Sequence, residues 1–230
     1  MTSLSFSDYT LSDQVLFHVY TSQLNTLAST QPNTMNWFND SGLGVRRFDP
    51  IYHSNGTLIP CFYGAFSDLT ALGESIVRQP KRNSLNTLTK PVRTLSWQPE
   101  TAAQQQNGQI KKIAQLTIHR TLTLIDLDTV LTNYRNPLQA WLAEGESAYP
   151  ALQNVAAWFA QHYSKYHGLI WNSHQRDLSS ERVFMLFGDR VESADLQLIS
   201  QQALNSELCL HRIRETVRLL NVRAPEWLMS

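Results

Sequence analysis

Three stretches of this chain place reactive side chains beside backbone that could present them. Residues 42–50 read GLGVRRFDP. The N–H groups of a glycine loop and the guanidinium forks of Arg46 and Arg47 could converge on an anion there. Taken alone, two adjacent arginines in a loop are ordinarily a solvated surface pair. Residues 62–65 read FYGA, close a strand-like run, and lead into a helical segment that carries Glu74. Glu74 lies two residues beyond Leu72, so it points away from the centre of that helix's apolar stripe. Residues 168–175 read GLIWNSHQ, an apolar run that passes into small polar groups including Ser173. A serine in that position is most often turn chemistry. Each cluster is weak by itself.

Other chemistries find less support. The seven histidines include no HxxxH or HExxH pair, and Cys61 and Cys209 are far apart, so zinc-type spacing is absent and no metal is expected. No GxGxxG opens a helix after a strand, and neither GxxxxGK[ST] nor GxSxG occurs. Each cysteine sits in an apolar stretch without an evident base, which reads as a buried, reduced thiol. The 230 residues carry 19 Lys+Arg against 19 Asp+Glu, a formal charge of zero that leaves no global basic field for nucleic acid. A local basic pocket for a small anion remains compatible with that balance. The content of 42% hydrophobic and 17% charged residues excludes a disordered chain and a coiled coil. No apolar run is long enough to span a bilayer. The start, MTSLSFSD, has no basic segment followed by an apolar one, so a cytoplasmic location is expected.

The elements that must position these clusters can be read from periodicity. Strands are expected at 15–20, 58–65, 92–97, 113–118, 121–127, 168–171 and 182–187. Ser67 is a candidate N-cap for a helix running through about Arg78, with Leu69, Leu72, Gly73 and Ile76 on its core face. Further helices are expected at 137–142, at 151–163 with Leu152, Val155, Ala156, Phe159 and Ala160 in register, and at about 206–221 with Leu210, Ile213, Val217 and Leu220 on one face. The QQQNG run at 104–108 reads as a hairpin tip or a loop. No internal repeat and no long linker divides the chain, so a single α+β domain over 1–230 is expected.

Taken in order, VRRFDP (45–50), IPCFYGA (59–65), ALGES (71–75), GLIWNSHQ (168–175) and VFMLFGDRV (183–191) resemble the RES domain, a family named for an arginine, a glutamate and a serine. The matching blocks extend over about 15–195. The resemblance implies an ADP-ribosyltransferase-like α+β fold, central mixed or antiparallel sheets flanked by helices, that takes NAD+ as substrate. It implies cleavage of the nicotinamide–ribose bond by phosphorolysis or hydrolysis, hence an NAD+ phosphorylase or glycohydrolase. Transfer of ADP-ribose to a protein is the alternative within the fold, and a catalytically weak binding module is the alternative outside it. Many relatives are toxins held by an Xre-like antitoxin. Residue by residue, the arginine is Arg47, with Arg46 as fallback, the tyrosine is Tyr63, the glutamate Glu74 and the serine Ser173. Arg47 would hold pyrophosphate or inorganic phosphate, Tyr63 would stack on nicotinamide, Glu74 would face the ribose, and Ser173 would orient a ribose hydroxyl or the carboxamide. The chain departs from the family at His18 or Tyr20, where an arginine is frequent, and at His174, where one follows the serine.

Overall fold

The computed structural model describes residues 4–22, 38, 47–78, 93–131, 137–143, 146–173 and 181–229. Along the chain these form β1 (Ser5–Leu11), β2 (Val15–Ser22), β3 (Ile51–Tyr52), β4 (Leu58–Ile59), β5 (Cys61–Ala65), α1 (Asp68–Ile76), β6 (Val77–Arg78) and β7 (Arg93–Leu95). They continue with α2 (Ala102–Gln106), β8 (Ile110–Ile118), β9 (Leu122–Leu131), α3 (Pro137–Ala143), α4 (Tyr149–His162), β10 (Gly168–Asn172) and β11 (Arg182–Phe187). The last elements are β12 (Leu196–Ala203), α5 (Glu207–Leu219), β13 (Val222–Arg223) and α6 (Glu226–Met229). The fold is α+β, a large mixed sheet flanked by helices. No helix among the described residues is long and apolar enough to cross a membrane.

The main sheet has the order β1-β9-β10-β11-β5-β2-β8-β12, antiparallel throughout except for β9 beside β10. Its two halves meet at β5 and β2 through one residue pair, Phe17 with Ala65. Away from that pair the halves share an inner apolar layer. Leu16, Ala114, Leu116 and Leu196 come from one half, and Phe62, Leu124, Ile170, Phe184 and Leu186 from the other. The opposite faces pack against helices, where Leu72 and Ile76 of α1, Phe159 of α4 and Ile213 and Val217 of α5 join Ala65, Trp171, Val183 and Met185. Burial on both faces is why β11 reads as an unbroken apolar run in the sequence.

Local signals explain most boundaries. Ser67 caps α1, its hydroxyl accepting from the Thr70 N–H at 3.1 Å. The helix stops at Ile76, and Val77–Arg78 is already extended, so it ends sooner than its periodicity suggests. Leu72, Gly73 and Ile76 are buried as expected, while Leu69 is only half-buried. Ser206 caps α5 in the same way, accepting from Cys209 N–H. The QQQNG run is not a bare loop. It contributes to α2, which Thr101 and Gln104 close with a reciprocal capping box. Strands β1 and β12 were not expected. Both are edges of the sheet, where solvent on the open side leaves little apolar alternation to read.

Gly64 is required by packing. A Cβ placed there would sit 2.4 Å from the Phe184 ring, which crosses it from the neighbouring strand. Cys61 and Cys209 are both buried and are not joined in a disulfide.

Candidate active site

Strand register sorts the site onto one face of the sheet. Alternation places Tyr63 and Ala65 of β5, Val183 and Met185 of β11, and Leu169 and Trp171 of β10 on the side covered by α1. Ser173 follows β10 immediately and is 3% exposed. Its hydroxyl donates to Glu74 Oε1 at 2.6 Å, joining residues 99 positions apart. Glu74 is half-buried, and its second oxygen has no partner among the described residues. The pair is therefore a carboxylate with one oxygen held by a buried hydroxyl.

The position of α1 that allows this contact is set at its N-terminus. Glu181, the residue before β11, accepts a hydrogen bond from Ser67 Oγ at 2.9 Å and a second from Thr70 Oγ1. A carboxylate at a helix N-terminus also offsets the positive end of the helix dipole. The Glu181 carbonyl accepts from Ser173 N–H at 2.7 Å. One residue thus pins both the start of α1 and the backbone of Ser173, and Glu74 reaches Ser173 from the far end of the same helix.

The arginine and the tyrosine are tied to each other through Phe48. Tyr63 OH accepts from Phe48 N–H at 3.2 Å. The Phe48 ring is fully buried and meets Trp171 edge-on, with centroids 4.7 Å apart. That contact connects the Arg47 segment to the strand leading into Ser173. Gln153 of α4 donates to the Asp49 carbonyl at 3.0 Å and holds the segment from its other side. Arg47 itself donates from Nη1 to the Leu142 carbonyl in the last turn of α3. Its guanidinium is accordingly anchored at a helix C-terminus, which favours a positive charge. The planar group has further N–H donors for an anion.

Ser173 and Glu74 are thus in direct contact, while Tyr63 and the segment of Arg47 are linked to them through the Phe48 amide and the Phe48–Trp171 packing. Arg46 and His174 lie outside the described residues. His18 and Tyr20 are placed differently from the others. Both sit with the inner layer on the opposite side of the strands. His18 Nδ1 is 2.6 Å from the Tyr63 carbonyl, so it supports that tyrosine's backbone from behind. It meets the carbonyl where β2 and β5 part and ladder partners run out.

Two contributors were not singled out from the sequence. Glu181 has no sequence signal, because the side chains its carboxylate holds, Ser67 and Thr70, are more than a hundred residues away. Trp171 is 3% exposed, and its buried Nε1–H has no acceptor among the described residues. Its spacing of two from Ser173 on a strand could have placed it on the same face. Among the described residues no cluster of His, Cys, Asp and Glu could hold a metal ion. The chemistry available is that of a carboxylate, a hydroxyl, a guanidinium, a phenol ring and an indole N–H.

A family model described as the RES domain matches residues 26–208, a range that contains Arg47, Tyr63, Glu74 and Ser173 and leaves β1 and β2 outside. No curated protein matches the chain. Among solved structures, the crystal structure of the M. tuberculosis MbcT-MbcA toxin-antitoxin complex is similar over 93% of this chain and 92% of that chain, with 13% identity and a TM-score of 0.44.

Proposed function

Since this chain belongs to the RES domain family, we propose that it is an enzyme that breaks the nicotinamide–ribose bond of NAD+. The observation that carries the reading is the Ser173–Glu74 hydrogen bond, a short contact that aims a half-buried carboxylate from the face shared with Tyr63.

Cleavage of this bond needs little acid assistance. The bonding electron pair leaves with the pyridine nitrogen, and nicotinamide departs as a neutral molecule. The cost lies in the positive charge that develops on the ribose carbon and ring oxygen. Glu74 lowers that cost by facing the cation or by accepting from a ribose hydroxyl. Ser173 keeps one carboxylate oxygen occupied so that the other is aimed without further reorganisation. Arg47, held against α3, binds pyrophosphate or the attacking phosphate through its remaining donors. The Tyr63 ring is fixed by the Phe48 amide and offers a flat surface to nicotinamide.

Phosphorolysis forms a bond from a phosphate oxygen to the ribose carbon and yields an ADP-ribose phosphate. Hydrolysis yields ADP-ribose and releases a proton. A toxin role, with an antitoxin protein as partner, belongs to the same proposal. Purified protein incubated with NAD+, with and without inorganic phosphate, tests the reading by mass spectrometry. Nicotinamide release that accelerates with phosphate identifies a phosphorylase, and release indifferent to phosphate with free ADP-ribose identifies a glycohydrolase. Intact NAD+ after prolonged incubation at high enzyme concentration refutes the proposal.

A further inference from the structure

We propose that Glu181 is a positioning residue for the Ser173–Glu74 pair, fixing the rotation of α1 about its own axis and with it the aim of Glu74. The inference rests on the reaction proposed above. Antiparallel register explains how one residue reaches both partners. Val183 pairs with Ala65, and Phe66 N–H donates to the Arg182 carbonyl at 3.4 Å, so the count carries on to set Glu181 opposite Ser67. On the other side Asn172 pairs with Arg182, and Ser173 N–H donates to the Glu181 carbonyl at 2.7 Å. Ser67, Glu181 and Ser173 thus form one row across the end of the sheet. Glu181 is two residues before Val183, which places its side chain on the face that α1 covers.

α1 meets that row along a single stripe. Ser67, Thr70 and Glu74 are spaced three and four apart, which lays them down one side of a helix. The stripe is fastened twice. At its start, Ser67 Oγ and Thr70 Oγ1 both donate to Glu181 Oε2. One turn beyond Thr70, about 6 Å along the axis, Glu74 accepts from Ser173. A helix held at one point can turn, whereas a helix held at two points along one side cannot. Thr70 is 1% exposed, so without Glu181 its hydroxyl loses its carboxylate acceptor where water does not replace it. Arg212 of α5 also grips the first turn, through Asp68 at 3.2 Å, but both side chains are partly exposed and such a pair holds weakly. The rotation of α1 is therefore set by Glu181.

Steady-state kinetics of NAD+ cleavage by the full chain tests the inference. Glu181→Ala should lower kcat about tenfold to a hundredfold, the scale of an ångström of misplacement at a reacting centre, with KM within about twofold. Glu181→Gln keeps an oxygen that both hydroxyls can reach and should retain most of the rate. Thr70→Val keeps the shape and removes one hydroxyl, so it should lose rate in the same direction. Arg212→Ala loosens the same helix end from another side and should leave kcat unchanged. Added to Glu74→Gln, Glu181→Ala should cost little more, because no carboxylate remains to be aimed. An unchanged kcat in Glu181→Ala overturns the inference, and where that variant does not fold, an unchanged kcat in Thr70→Val does so. An equal loss in Arg212→Ala also overturns it, as does a loss that persists in full on top of Glu74→Gln. Wild-type protein that leaves NAD+ intact refutes the reaction instead, and the positioning role is then read from stability. The shifts in denaturation midpoint caused by Ser173→Ala and Glu74→Ala should be non-additive in the wild-type background and additive in the Glu181→Ala or Thr70→Val background. Non-additivity of the same size in both backgrounds overturns the inference.

Discussion

The Ser173–Glu74 contact supplies the sharpest test of the proposed chemistry. Replacing Ser173 by Ala removes the hydroxyl that donates to Glu74 Oε1 at 2.6 Å. A hydrogen bond to an ionised group contributes about 1.5–3 kcal/mol. If that contribution is used to aim the carboxylate in the transition state, its loss slows turnover by about tenfold to a hundredfold. Glu74→Gln keeps the shape of the side chain and removes the charge that faces the ribosyl cation, for which about 3 kcal/mol and a loss of about a hundredfold or more are expected. The double variant separates a chain of action from two independent roles. Ser173 acts through Glu74, so once the charge is gone the serine has little left to orient. The double variant should therefore be close to Glu74→Gln alone, with a coupling energy of about 1.5–3 kcal/mol, the whole of the serine's own contribution. The assay is nicotinamide release under saturating NAD+, with chemical denaturation confirming that each variant is folded. Losses that simply add, or an undiminished rate in Glu74→Gln, refute the reasoning.

Arg47→Ala should weaken NAD+ binding by roughly tenfold to a hundredfold, the loss of one charged hydrogen-bonding group. Calorimetry showing an unchanged Kd would move the role to Arg46. His167 gives a pH dependence of stability. Its Nδ1 accepts from Thr123 N–H at 3.1 Å, which requires a neutral ring, and burial followed by the nearby Arg120 charge lowers its pKa below the ordinary 6.5. Between that lowered value and 6.5 the unfolded chain binds more protons than the folded one, so stability falls as pH drops below about 6.5. Denaturant titrations at about pH 5.5 and pH 8 should differ less for His167→Asn than for the wild type, and an equal difference contradicts the assignment. Gly64→Ala should destabilise the fold by about 1–3 kcal/mol, because the Phe184 ring must be displaced from the position a methyl would occupy. An unchanged denaturation midpoint would show that the ring yields freely.

What the sequence disclosed depended on whether a signal was local. Ser67 and Ser206 announce α1 and α5 because a cap lies three residues from the N–H it serves. β11 is unmistakable because both its faces are covered. β1 and β12 pass unnoticed because an edge strand needs apolar residues on only part of one face. The site divides in the same way. Glu74 and Ser173 carry no mark of partnership in their own neighbourhoods, and only the order of blocks along the chain suggests it. The Arg47 bond to α3 and the Glu181 clamp on α1 arise from contacts between distant segments, for which spacing gives no warning. His18 illustrates the opposite case. Read along the strand it stands where the family resemblance leads one to expect an arginine, but the pleat turns it to the inner layer, behind the tyrosine it supports.

The single rung between β2 and β5 has a mechanical consequence. Elsewhere the sheet is laced by rows of amides, whereas at this seam cohesion falls to the oily filling between the halves and to one imidazole. Shear applied there meets side-chain packing and a single rung, so the seam should open before the ladders on either side of it. The joint is also directly behind the phenol proposed to cradle nicotinamide. Tightening or loosening it would shift that ring without touching the carboxylate opposite.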